Sequence, residues 1–230
     1  MPFWCKVLSV KCSVIAVGVS LLMAVCAAGQ SPASQAQKSD HFYWSARKAH
    51  ELDYNRTIRN TPDLNPTDRA ALLKTVAALI RPFMADLEID SERELRKIAG
   101  DTRIEFIDLN GDGIPEVIAQ PVGMNAGCGA TGNCPMWVFI KATDGYQLLL
   151  DTRNKEGYGG VELLTVEEAR TKGFRDIVLA AHDSASEKTL LVYRYRNGLY
   201  RESGCYDANW LSWVGEVHFL KQPVITKCGE

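Results

Sequence analysis

Hydrophobic residues along this chain keep two different rhythms. Between Asn65 and Phe83 they recur at steps of three and four: Leu72, Leu73, Val76, Leu79, Ile80 and Phe83. That spacing lays one apolar stripe along a helix. Asn65 can cap its start, with Pro66 at the first position and Asp68 in the first turn. Pro82 ends or kinks it. Ser91 with Glu94 forms a capping-box pattern and Gly100 is a natural stop, which predicts a second short helix. Upstream, HFYWSARKAHELDYNRTI (41–58) also reads as an amphipathic helix, broken by the two prolines of NTPDLNPTD. Residues 41–100 are therefore expected to form a small N-terminal helical lobe.

After Gly100 the rhythm shortens. RIEFI, EVIAQPV, MWVFIK, YQLLLD, VELLT, RDIVLAA, TLLVYRYR and GLYRES are rich in Val, Ile, Leu, Tyr and Phe. Gly, Asn or Asp bounds them, as strands require. TDG at 143–145 and NG at 197–198 predict hairpin turns. VGEVHFL is a further candidate strand. Residues 101–230 thus read as an antiparallel β-meander domain of about eight or nine strands, and the whole chain as α+β. GIPEVIA (113–119) aligns with GFRDIVL (173–179), sixty positions on. This predicts two repeat units, about 103–151 and 161–203, each of which needs a neighbour to bury its apolar face.

Three features bear on where the chain works. Lys6 and Lys11 precede the apolar run SVIAVGVSLLMAV, followed by CAAGQSPASQAQ. A basic start, a short apolar centre and small residues describe a signal peptide over 1–28, with cleavage after Ala27, Ala28 or Gly29. Lipid attachment at Cys26 is the alternative. The run is too short to span a bilayer, and 29–40 reads as a flexible leader. The formal charge is −2, and losing two lysines makes the remainder more acidic. That composition, with no basic run, excludes a nucleic-acid binder. Four cysteines follow the leader. An even count in an exported chain predicts disulfides, with Cys128–Cys134 closing a tight loop and Cys205–Cys228 tying down the C-terminal segment. Zinc is the competing reading, disfavoured by spacing and by the lack of a neighbouring histidine.

One stretch carries candidate chemistry. In DLNGDGIPE, Asp108, Asn110 and Asp112 alternate, Gly113 stands where the loop must turn, Ile114 can offer its carbonyl, and Glu116 adds a third carboxylate. Positions one, three, five, seven and nine are how a short loop wraps a hard cation in oxygen, and flexible oxygen ligands suit Ca2+. No thiolate or imidazole favours a transition metal. The twelfth position is Ala119, so this is no EF-hand. The bland reading is an Asx-rich turn without metal. With its strand flanks, the loop resembles the FG-GAP or VCBS repeats, whose pattern is Asp-x-Asn-x-Asp-Gly-x-x-Asp, with Glu116 in the last place. The resemblance implies a propeller-blade-like setting and a structural calcium ion. In the second copy the ligand positions become Glu168, Arg170 and Lys172, with only Asp176 matching Glu116, so one ion is expected.

No catalytic constellation assembles from the sequence. The Gly-rich AGCGATGNC precedes no helix, so it lacks the setting of a phosphate loop. EGYGG (156–160) reads as a turn. His182-Asp183-Ser184 are neighbours in sequence, which is not how a triad is made. Tyr206, Trp210 and Trp213 stand at roughly helical spacing between two cysteines and are candidates for binding a protein or glycan, or for capping the β layer. The leading expectation is a non-enzymatic binding or structural module. A cell-envelope hydrolase built from distant residues, and an inhibitor resembling the lysozyme inhibitors, are the rivals.

Overall fold

Residues 116–120 and 176–180 are buried on both faces of their strands because layers pack on either side. A computed structural model describes residues 42–153, 160–213 and 216–229. The signal peptide, the leader, Cys26 and most of EGYGG lie outside the described residues.

Among the described residues two α-helices occur: α1 (Pro66–Ile80) and α2 (Glu92–Asp101). Their caps are those the sequence predicts. Asn65 Oδ1 accepts from the Asp68 N–H at 2.9 Å, and Ser91 Oγ from Glu94 N–H at 3.2 Å. Helix α1 stops at Ile80, and a single 3-10 turn carries Pro82.

Four strands, β1 (Arg103–Ile107), β2 (Glu116–Gln120), β3 (Trp137–Ala142) and β4 (Gly145–Asp151), form one antiparallel sheet in chain order. Five more form a second: β5 (Leu163–Thr171), β6 (Phe174–Ser184), β7 (Glu187–Arg196), β8 (Leu199–Ser212) and β9 (His218–Lys227). Strand β8 runs through Cys205 to Ser212, so Tyr206 and Trp210 lie on a strand and not at helical spacing.

Three apolar clusters stack these layers. Leu72, Val76, Ile80, Leu95 and Ile98 of the helices pack on Ile104, Val117, Trp137 and Phe139. On the other face of that sheet, Ile118 and Val138 meet Leu164, Ile177, Leu179 and Tyr193 of the second sheet. The outer face of the second sheet presents Val178, Ala180, Leu190, Val192 and Ala208, covered by Trp44 and Phe42. Alternation along β3 assigns Trp137 and Phe139 to the helices and Val138 to the second sheet, the period-two geometry of a strand.

The helical lobe is therefore corrected in two respects. The helices are one layer of a shared core, and no helix forms over the described part of 41–58. Trp44 is fully buried, its indole N–H donating to Thr165 Oγ1 at 3.0 Å. Bridges at His50–Leu164 and Thr57–Arg103 hold the rest of the segment to both sheets. An outer sheet face that would otherwise meet water takes Phe42 and Trp44 from an extended chain, and tertiary burial outweighs helix propensity. The two expected disulfides are both formed, Cys128–Cys134 and Cys205–Cys228. No helix among the described residues is long and apolar enough to cross a membrane.

Candidate metal centre

The loop between β1 and β2 is built from its own side chains. Leu109 is fully buried between the sheets. Its neighbours Asp108 and Asn110 turn back over the loop: Asp108 Oδ1 accepts from Gly111 N–H at 2.6 Å and Oδ2 from Gly113 N–H at 3.1 Å. Asn110 Oδ1 accepts from Asp112 N–H at 2.8 Å, and Asp112 Oδ1 from Ile114 N–H at 2.7 Å. Gly111 and Gly113 adopt φ of +82° and +85°, a region costly for residues with a Cβ.

Glu116 closes the loop from below. It is fully buried at the start of β2, opposite Ile107. Its Oε2 accepts from the Leu109 N–H at 2.7 Å. Asn110 Nδ2 donates both to Glu116 Oε1 at 3.0 Å and to Asp112 Oδ2 at 2.9 Å. Burial pushes the Glu116 carboxyl above its ordinary range; the Leu109 N–H opposes this, and Asp112 and Asp108 add to it. Asp112 and Glu116 thus share the neutral Asn110 amide nitrogen as donor, while Asp108 is held by the backbone of the same loop.

Among the described residues no three His, Cys, Asp or Glu side chains stand already arranged to hold a metal ion. Asp108 and Asp112 spend oxygens on the loop's own N–H groups. The donor chemistry nevertheless fits a hard cation: the loop supplies only carboxylate, amide and carbonyl oxygen, and a turn of the Asn110 amide exchanges its nitrogen for an oxygen. Ile114 is 56% exposed, leaving its side chain outside the loop.

The second hairpin reaches into this loop. Arg175 N–H donates to Leu109 C=O at 2.7 Å, and Arg170 Nη1 to the same oxygen at 3.0 Å and to Gly173 C=O at 2.7 Å. Of the other residues in the second copy, Glu168 pairs with Lys48 at 3.8 Å, and Lys172 occupies the turn with φ +53°. Asp176 is buried; its Oδ2 accepts from Arg194 Nε at 3.2 Å while Oδ1 has no partner. The sixty-residue offset picks out Arg170 and Asp176, but sequence alone gives no sign that Arg170 lies against the first loop.

The remaining candidates separate. Tyr206 stacks on Phe42 with ring centroids 4.1 Å apart, and Trp210 meets Trp44 edge-on at 6.1 Å. Trp213 is 73% exposed, near Val217 and Phe219 in chain and register, both also exposed. His182 lies by Lys188, Asp183 accepts from Thr189, and Ser184 donates to Glu187, so the three do not converge. A cavity of about 390 Å³ opens between Phe83, Leu87, Met124, the Cys128–Cys134 loop and Arg153. The upshifted carboxyls Glu116 and Glu167 do not line it. No protein-family model, curated protein or solved structure matches the chain.

Proposed function

We propose that the 108–116 loop is a structural Ca2+ site, of the kind the FG-GAP and VCBS repeats carry, in an exported binding or structural module that is not an enzyme. Asp108, Asn110, Asp112, Glu116 and the Ile114 carbonyl are its ligands. The observation that carries this reading is that Asp112 and the buried Glu116 share the Asn110 amide as donor, with Asp108 wrapped about the same loop. A divalent ion there replaces mutual repulsion with attraction and stabilises the charged form of Glu116. Export is supported by the two disulfides, which belong to oxidising compartments, and by the sequence of residues 1–28.

Binding of a protein or glycan is supported by Trp213 and Phe219, large apolar side chains left in solvent at one end of the second sheet. Capture of an extracellular partner by the wild type and its loss on Trp213→Ala, with melting unchanged, is the expected result. Equal capture by both proteins contradicts the role of Trp213. The calcium reading is tested by titrating CaCl2 into the chelator-treated chain in a calorimeter: saturable binding lost in Asp112→Ala supports it, and no heat of binding removes it.

A further inference from the structure

We propose that Arg170 is a built-in counter-cation of the 108–116 loop, one that holds the loop folded without an ion and sets how tightly it takes a divalent one. The second part rests on the calcium reading above; the first does not.

Three observations meet here. The guanidinium lies 3.6 Å from where a Cβ on Gly111 would stand, so it sits against the loop itself. Its Nη1 donates to the Leu109 carbonyl, the peptide between ligand positions Asp108 and Asn110. The same nitrogen donates to Gly173 C=O and Arg175 N–H shares the Leu109 oxygen, so the guanidinium is fixed by the β5–β6 turn.

The consequence is electrostatic. The loop carries Asp108, Asp112 and Glu116, and Arg170 sets a positive charge beside it, on the Leu109 carbonyl and against Gly111. A divalent ion must enter against that fixed positive charge. The degenerate copy thus supplies, at the position matching Asn110, a cation to the intact copy. Asp176 and Arg194 pair with each other on the outer face, and Glu168 is engaged by Lys48, so among these groups Arg170 alone is set on the loop.

The test uses the full chain and three forms: wild type, Arg170→Gln and Arg170→Lys. Gln keeps a donor without the charge; Lys keeps the charge. In CaCl2 titrations, Arg170→Gln is expected to bind about three- to tenfold tighter than wild type, the size of effect one partly screened charge exerts nearby. Arg170→Lys is expected to bind as wild type does. In EDTA, amide exchange at Gly111 and Gly113 is expected to speed up several-fold in Arg170→Gln, with protection restored in Arg170→Lys. Unchanged or weaker Ca2+ affinity in Arg170→Gln overturns the tuning role. Unchanged exchange overturns the holding role. A wild type that binds no Ca2+ sinks the calcium reading and with it the tuning role, while the exchange data still decide whether Arg170 holds the loop.

Discussion

Single residues carry burdens that the chain resolves locally. Arg103 is buried to 4% exposure, donating to Gln120 Oε1 at 2.7 Å and to Leu52 C=O at 3.3 Å. Gln120 in turn donates to Val161 C=O at 2.8 Å, linking the first sheet to the residues leading into β5. Replacing Gln120 by Ala removes one partner of a buried guanidinium, while the Val161 carbonyl keeps the Cys134 N–H, with an expected loss of about 1–3 kcal/mol in urea unfolding; a loss below about 0.5 kcal/mol contradicts the network. Glu167 has the opposite character. Burial pushes its carboxyl up, opposed by Lys48 and Arg175 and aided by Glu168 and Asp176. An acid raised on folding binds more protons folded than unfolded, so its charge costs stability as pH rises above the ordinary carboxyl range. Glu167→Gln is expected to melt about 1–2 °C higher than wild type at pH 7 and level with it near pH 4; an advantage equal at both pH values contradicts this.

At the scale of elements, the sequence was legible wherever local chemistry decides. Asn65, Pro66 and Asp68 place the start of α1, and Ser91 that of α2, because caps act within one turn. Asn65→Ala is expected to cost about 1 kcal/mol by urea unfolding, and no change contradicts the cap. Hairpin turns were equally readable: Asn197 and Gly198 both take positive φ, as an Asn-Gly turn demands. The 42–58 segment was not readable. Its apolar spacing suits a helix, but what fixes its shape is the outer face of the second sheet, which no local signal announces. Trp44→Ala is expected to destabilise by about 3–5 kcal/mol, measured by the same unfolding curves; a loss under 1 kcal/mol contradicts Trp44 as the cover of that face. The length of β8 was missed for a related reason. Asp207 and Asn209 look like turn residues, yet pairing with β7 and β9 on both sides carries the strand through them. In the candidate site, the alternation of Asp108, Asn110 and Asp112 was readable, whereas the hydrogen bond from Arg170 to Leu109 depends on how the two sheets meet.

At the largest scale, the two sheets, two helices and covering segment of the described residues stack in layers, and two disulfides fasten their loops. Cys205–Cys228 closes a longer loop than Cys128–Cys134, with separations of 23 and 6 residues. On the chain-entropy model, removing the first with paired serines is expected to cost about 3 kcal/mol, and the second about 2. The reverse order in urea unfolding contradicts a purely entropic account. The exposed edge strand β9 is guarded rather than sealed: between its pairings at Phe219 and Val224 it bulges, with Lys221 and Pro223 in the bulge. Charge and proline at an edge oppose strand addition by another chain. What joins these scales is the 108–116 loop, anchored by Leu109 between the sheets and loaded with carboxylates. Differential scanning calorimetry of the wild type in CaCl2 and in EDTA tests that most directly. Binding to the folded state alone raises the melting temperature, so a rise of several degrees in Ca2+, absent in Asp108→Ala, is the predicted result; the same melting temperature in both solutions would contradict the account.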